Sequence, residues 1–277
     1  MKLDLSAAWD GAMAMIRANR EVVLVLAGVF FFLPYLAFSL FLPETGIAEA
    51  SAANEGDMDA IAAIVMDFYA DYWWALLLMA LIQTIGALAC LAVLGDNARP
   101  TVGDAIRRGV TLLPTQLGAQ LLAGLAIFAP IVLATAIGAA SGSDALVSVL
   151  PLVALPVAIY IVVKFSLSSP VIAIDQTRNP LAALTGSWRL TKGNSFRLFF
   201  FALLLIVAFV VASTVLNLII GLALALLGEH LQLIGLAISG ALINAVFFVV
   251  AYAVMASVHH QLSGRASASV PRAGRED

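Results

Sequence analysis

His259 and His260 are the first residues whose type suggests chemistry, because neighbouring imidazoles are common metal ligands. On a helix, however, adjacent side chains point about 100° apart. A helical metal site instead needs ligands four residues apart on one face. The third histidine, His230, falls on the opposite side of the threading derived below. The chain shows no phosphate loop, nucleophile elbow, zinc spacing or nucleic-acid motif. No catalytic, cofactor or metal residue is therefore assigned, and the expectation is a protein that is not an enzyme. The one cysteine, Cys90, lies inside an apolar run and reads as a small buried side chain.

Two other sets of residues remain. Gln83, Gln120, Asn217 and Asn244 interrupt long apolar runs and are candidates to line a polar cavity between helices. The plain alternative is interhelical hydrogen bonding, worth ~0.6 kcal/mol each. No Asp, Glu, Lys or Arg sits near the middle of a run, which argues against ion-coupled transport. The second set is basic: Arg99, Arg107, Arg108, Arg189, Lys192 and Arg197. Near an anionic membrane surface such residues attract lipid headgroups at ~1 kcal/mol each. Equally, they can serve only to fix topology. Membrane lipids are the expected partners, with a protein partner at the same face as a second candidate and nucleic acid excluded.

Both sets require membrane-spanning helices to hold them. The chain is 62% hydrophobic and 11% charged, against about 25% charged in soluble domains. Six apolar runs, at 22–42, 72–94, 115–140, 145–167, 198–227 and 231–258, are long enough to cross ~30 Å of hydrocarbon. Pro34, Pro130, Pro151 and Pro156 lie inside them and read as kinks. Three basic amphipathic segments accompany these runs. In 4–17, Leu5, Trp9, Ala12, Met13 and Ile16 form one stripe. In 101–113 the stripe is Val102, Ile106, Gly109, Val110 and Leu113, opened by a Thr101–Asp104 capping pair. From 179 onward, Asn179 caps, Pro180 opens the first turn, and Leu181, Leu184 and Trp188 share a face. Each is expected as a separate short helix in the membrane interface. A further short helix is expected over 59–69, and Lys164 is expected to snorkel to the interface.

With six spans and both termini on one side, all 14 Lys and Arg share that side. Acidic residues, among them Glu44, Asp57, Asp71 and Asp144, occupy the other. The positive-inside rule makes the basic side cytoplasmic. The expected location is a bacterial inner membrane with both termini in the cytoplasm. The expected fold is all-α and integral to the membrane: six transmembrane helices with three interfacial amphipathic helices in a pseudo-three-fold repeat. The whole is one polytopic domain over 1–262, with repeat units near 4–94, 100–168 and 179–262 and a disordered tail over 263–277. Within the repeat, AWDGAMAMIRAN from Ala8 aligns with ALTGSWRLTKGN from Ala183, so that Gly11, Arg17 and Asn19 meet Gly186, Lys192 and Asn194.

The segment SSPVIAID from Ser168, followed by NPLAALTGSWRLTKGNSFRLF from Asn179, resembles a family of six-span bacterial membrane proteins. These are the membrane domain of glycerophosphoryl diester phosphodiesterase and the similar YciC-like proteins. The resemblance implies a membrane domain only. In that family the catalytic part is a separate soluble barrel using His, Glu and Asp around a divalent metal, for which this chain has neither the length nor the residues. The functional expectation is a non-enzymatic membrane protein that organises anionic lipid or a protein partner at the cytoplasmic face. The alternative is a transporter or lipid-handling channel.

Overall fold

The computed structural model describes residues 2–41, 58–95, 100–225 and 228–264. Arg99, most of the acidic segment between the first two spans, and the tail from 265 onward lie outside the described residues.

The described chain is helical throughout, without strands. Nine helices follow in order. They are α1 (Leu5–Ala18), α2 (Arg20–Phe41), α3 (Met58–Gly95), α4 (Val102–Ala140) and α5 (Asp144–Phe165). Then come α6 (Ser168–Ile174), α7 (Pro180–Leu190), α8 (Ser195–Ala225) and α9 (Glu229–Leu262). Six of the helical stretches are long and apolar enough to cross a membrane, as the sequence leads one to expect.

Thr101 and Asn179 cap their helices as the sequence names them, and of Asp4 and Ser6, either of which could cap α1, Asp4 does so. Asp4 accepts from the Ala7 amide at 3.1 Å, Thr101 from Asp104 at 3.2 Å, and Asn179 from Leu181 at 2.9 Å. Each satisfies a donor that the first turn of a helix leaves unpaired. Pro34 distorts α2 through a π turn at Gly28–Phe32 immediately before it. Proline has no amide to give the carbonyl four residues back, and its ring crowds that carbonyl. A wider turn relieves both problems. It also turns both Phe30 and Phe31 into the core, where Phe31 stacks on Phe248 at 5.3 Å.

Two expectations about segmentation are overturned. The separate helices expected over 59–69 and 101–113 do not exist as such. The first is the start of α3, 38 residues long, and the second is the start of α4, 39 residues long. At 1.5 Å per residue each helix runs about 57 Å, far beyond a ~30 Å hydrocarbon layer. From Asp59 to Tyr72 nothing breaks the helix, since no Gly or Pro intervenes. In α4, Pro114 is carried inside the helix without ending it. Within 101–113 the buried positions are Ala105, Gly109 and Leu112, while Val110 of the expected stripe stays exposed; Gly109 lets the backbones of α3 and α4 meet. A Cβ on Gly109 would lie 2.7 Å from the Ile85 carbonyl oxygen.

Gly11 and Gly186 have parallel roles in the other two amphipathic helices. The first lies against Ser257 of α9 and the second against Val171 of α6. All three basic segments thus seat on the same end of the bundle through a glycine. The core is concentrated at this basic end. Leu3, Ala12, Leu26, Leu91, Ala105, Ile172, Ala183 and Val258 are all buried there. Farther along, the helices diverge. Only 6% of the span in α4 is covered by protein, against 44% in α3. The apolar flanks of α4, α5 and α8 therefore need lipid to cover them.

Candidate functional site

Where α5, α8 and α9 diverge from the basic end they leave an apolar groove of about 410 Å³. Val163, Phe201, Phe209 and Val250 form its walls, and Trp9 of α1 closes the basic end. Ala202, Ala208 and Ala251 leave the space that larger side chains would fill. A second hollow is formed by Lys2, Leu3, Asp4, Leu5 and Arg197, the last next in the chain to Leu198 of the groove. Leu5 and Trp9 are four residues apart on α1, so the two hollows share one helix face.

The N-terminal residues that carry this rim are pinned. The Leu3 amide donates to Asn194 Oδ1 at 2.9 Å, and Arg197 Nη1 donates to the Leu3 carbonyl at 2.8 Å. Leu3 itself is 1% exposed. The Asp4 amide donates to Gln261 Oε1 at 2.9 Å, tying the same segment to the end of α9. Lys2 and Arg197 remain at the surface with a basic face above an apolar groove.

A separate polar cleft of about 590 Å³ lies between α6, α7 and the end of α9. Arg189, Lys192, Asn194, Thr177 and Asp175 line it. Behind Asp175 stands His259, fully buried, with Nε2 3.0 Å from Asp175 Oδ2. The histidine pair is thus divided, as its spacing on the helix requires. Among the described residues no three His, Cys, Asp or Glu side chains come close enough to share a metal ion.

Five of the six basic residues are described, and they fall in three places. Arg107 and Arg108 stay on α4, Arg189 and Lys192 line the cleft, and Arg197 joins Lys2 at the groove. Lys164 departs from expectation. Its side chain is buried, with 3% of the residue exposed. Nζ lies 5.3 Å from the Tyr160 ring and 5.4 Å from the Trp188 ring. Trp188 on α7 lies beside the end of α5, so two aromatic faces stand near the amine.

The polar residues within spans also divide. Gln83 and Gln120 meet in a cavity of about 230 Å³, joined by Thr84, Gln116, Ser169 and Tyr252. Asn217 and Asn244 are not part of it. Asn217 Oδ1 accepts from Ser239 at 3.5 Å between α8 and α9. Asn244 Nδ2 donates to the Phe31 carbonyl at 3.4 Å, inside the π turn. The wide turn exposes a carbonyl to the neighbouring helix, and Asn244 takes it.

Sequence reasoning missed Lys2, Asn194, Gln116 and Ser169. Gln116 was within reach, since it lies one turn before Gln120 on the same face. Lys2 and Asn194 carry no local signal; their roles depend on the N-terminus folding back onto α8.

Residues 142–271 match the family model for the membrane domain of glycerophosphoryl diester phosphodiesterase. The match bears out the resemblance read from the segments around Ser168 and Asn179. It runs from the start of α5 through α9, and so takes in Arg189, Lys192 and Arg197, while Lys2, Gln83 and Gln116 lie outside it. No curated protein and no solved structure matched the chain.

Proposed function

We propose that this membrane protein binds an acidic phospholipid at the cytoplasmic face of a bacterial inner membrane, without catalysis of its own. One observation carries the reading. The apolar groove between α5, α8 and α9 ends beside Lys2 and Arg197. An acyl chain fits a wall of apolar side chains, and a phosphate fits two cations where the groove ends. Trp9 stands at the boundary between the two, the depth at which amphipathic rings are enriched.

Other features support the reading. The described Lys and Arg residues cluster at one end, as the positive-inside rule expects of a cytoplasmic face. The cleft with Arg189 and Lys192 adds a second basic surface at the same end. The matched family takes its description from an enzyme of glycerophosphoryl diesters. A phosphate diester on a glycerol backbone is the same chemistry that a phospholipid headgroup presents. In this reading the chain is one membrane domain that holds lipid, for itself or for a protein partner at the same face.

Native mass spectrometry of gently extracted protein, offered a mixture of acidic and zwitterionic phospholipids, tests it. Wild type is expected to retain one acidic lipid preferentially. Lys2→Gln should weaken the preference for acidic headgroups, and Ala202→Trp should fill the groove and lower retention of all classes. Equal retention by wild type and both variants would refute the proposal.

A further inference from the structure

We infer that the polar cavity between α3, α4, α6 and α9 is an occupied site for an uncharged hydroxylic molecule, either water or a small polyol. This site is separate from the lipid groove and uses none of its residues.

The inference rests on two bare polar atoms. Gln116 is 4% exposed, and its Nε2 donates to Ser169 Oγ at 3.0 Å. Its Oε1 is buried and has no hydrogen-bond partner. Exchanging the two amide atoms does not help, because one of them still serves Ser169 and the other stays bare. Gln83 Nε2, which belongs to another residue lining the same cavity, is also buried without a partner. One bare atom is an acceptor and the other a donor, yet they do not bond to each other. A hydroxyl group serves both, since its oxygen accepts from Gln83 and its hydrogen goes to Gln116. Thr84 also lines the cavity, its hydroxyl donating to Ala80 O at 2.7 Å and retaining acceptor capacity.

Depth makes the two bare polar atoms expensive. At 1.5 Å per residue, Gln83 is about 18 Å along α3 from Gly95, and Tyr252 about 15 Å along α9 from Leu262. Both therefore lie within the hydrocarbon layer, where lipid offers no hydrogen bonds. No charged side chain lines the cavity, so a charged ligand would be left unpaired. Its volume of about 230 Å³ holds roughly seven waters at ~30 Å³ each. It falls below the ~300 Å³ at which drug-sized pockets begin.

The test uses the full chain in lipid nanodiscs. Replacing both Gln83 and Gln116 with Leu removes the bare atoms. If the site is occupied, the bridging bonds are lost as well as the Gln116–Ser169 bond, and the unfolding constant should rise about tenfold beyond that of Ser169→Ala, which removes the latter bond alone. A pair variant as stable as Ser169→Ala, or more stable, would mean that the cavity is dry and would overturn the inference. Should the pair variant fail to fold, accessibility decides. Thr84→Cys should react with a small water-soluble methanethiosulfonate, with buried Cys90 on the same helix as the dry control. No reaction at position 84 would overturn the inference. Glycerol then separates the two occupants. A saturable stabilisation of wild type that the pair variant lacks assigns a polyol, and its absence assigns water.

Discussion

Ser187 offers the sharpest test of how the basic end is held together. The residue is fully buried on α7. Its Oγ donates to the Lys164 carbonyl at 2.7 Å and accepts from the Leu167 amide at 3.1 Å. These are the groups that the end of α5 and the start of α6 leave without helical partners. One hydroxyl therefore joins α7 to the break between two helices. In Ser187→Ala the Leu167 amide is left buried and unpaired, at about 1–3 kcal/mol. The Lys164 carbonyl is partly served by Thr191, whose Oγ1 lies 3.5 Å away, so its share is smaller. The expected loss is about 2 kcal/mol, or roughly a thirtyfold rise in the unfolding constant. Reversible unfolding in mixed micelles measures it. Ser187→Ala with Thr191→Val should lose more than the sum of the two single variants, because each hydroxyl covers for the other at one carbonyl. A loss below about 0.5 kcal/mol for Ser187→Ala would show that the break between α5 and α6 is satisfied in some other way, and the account of this corner would fall.

Two further predictions come from close packing. Gly109→Ala places a methyl group 2.7 Å from the Ile85 carbonyl oxygen, which belongs to the backbone and cannot rotate aside. A loss of about 1–3 kcal/mol is expected. Gly11→Ala meets only the Ser257 hydroxyl, which can turn, and the gain in helix propensity offsets much of the strain. It should be nearly neutral in the same unfolding assay; equal losses at both glycines would refute the distinction. Cys90 is fully buried where α3 crosses the core. Maleimide should label it only after unfolding, and labelling of the folded protein at the rate of a free thiol would contradict that packing.

The six spans and their common basic end were legible because bilayer thickness and charge segregation act on composition alone. Apolar length fixes how many times the chain crosses, and Lys and Arg placement fixes which ends lie together. The caps at Asp4, Thr101 and Asn179 were legible for a related reason: each is satisfied by residues two or three positions away. Continuity of α3 and α4 was not legible. An amphipathic stripe states that one face is covered, without stating whether protein or headgroups cover it. Of the stripe over 101–113, Gly109 approaches α3 closely while Val110 stays exposed, a division that the stripe itself does not state.

The sites show the same division between local and distant causes. Gln83 and Gln120 could be picked out as polar residues in apolar runs. Which of the four such residues would meet depended on helix divergence, and divergence is set by contacts far along the chain. Asn244 was drawn to α2 because Pro34 opens a π turn there, a cause 210 positions earlier in sequence. Lys164 shows how a residue type can mislead by itself. Its snorkelling was read from its position near the end of a span, but the residue is buried and Trp188 on a later helix stands near its amine. The groove had no signature at all, because it is made by alanines on diverging helices. Alanine marks close packing only where a partner helix is present. On α9, Ala245 and Ala253 are buried by protein, whereas Ala202 and Ala208 on α8 open into the groove. The same residue type thus packs a helix pair in one place and leaves an open groove in the other.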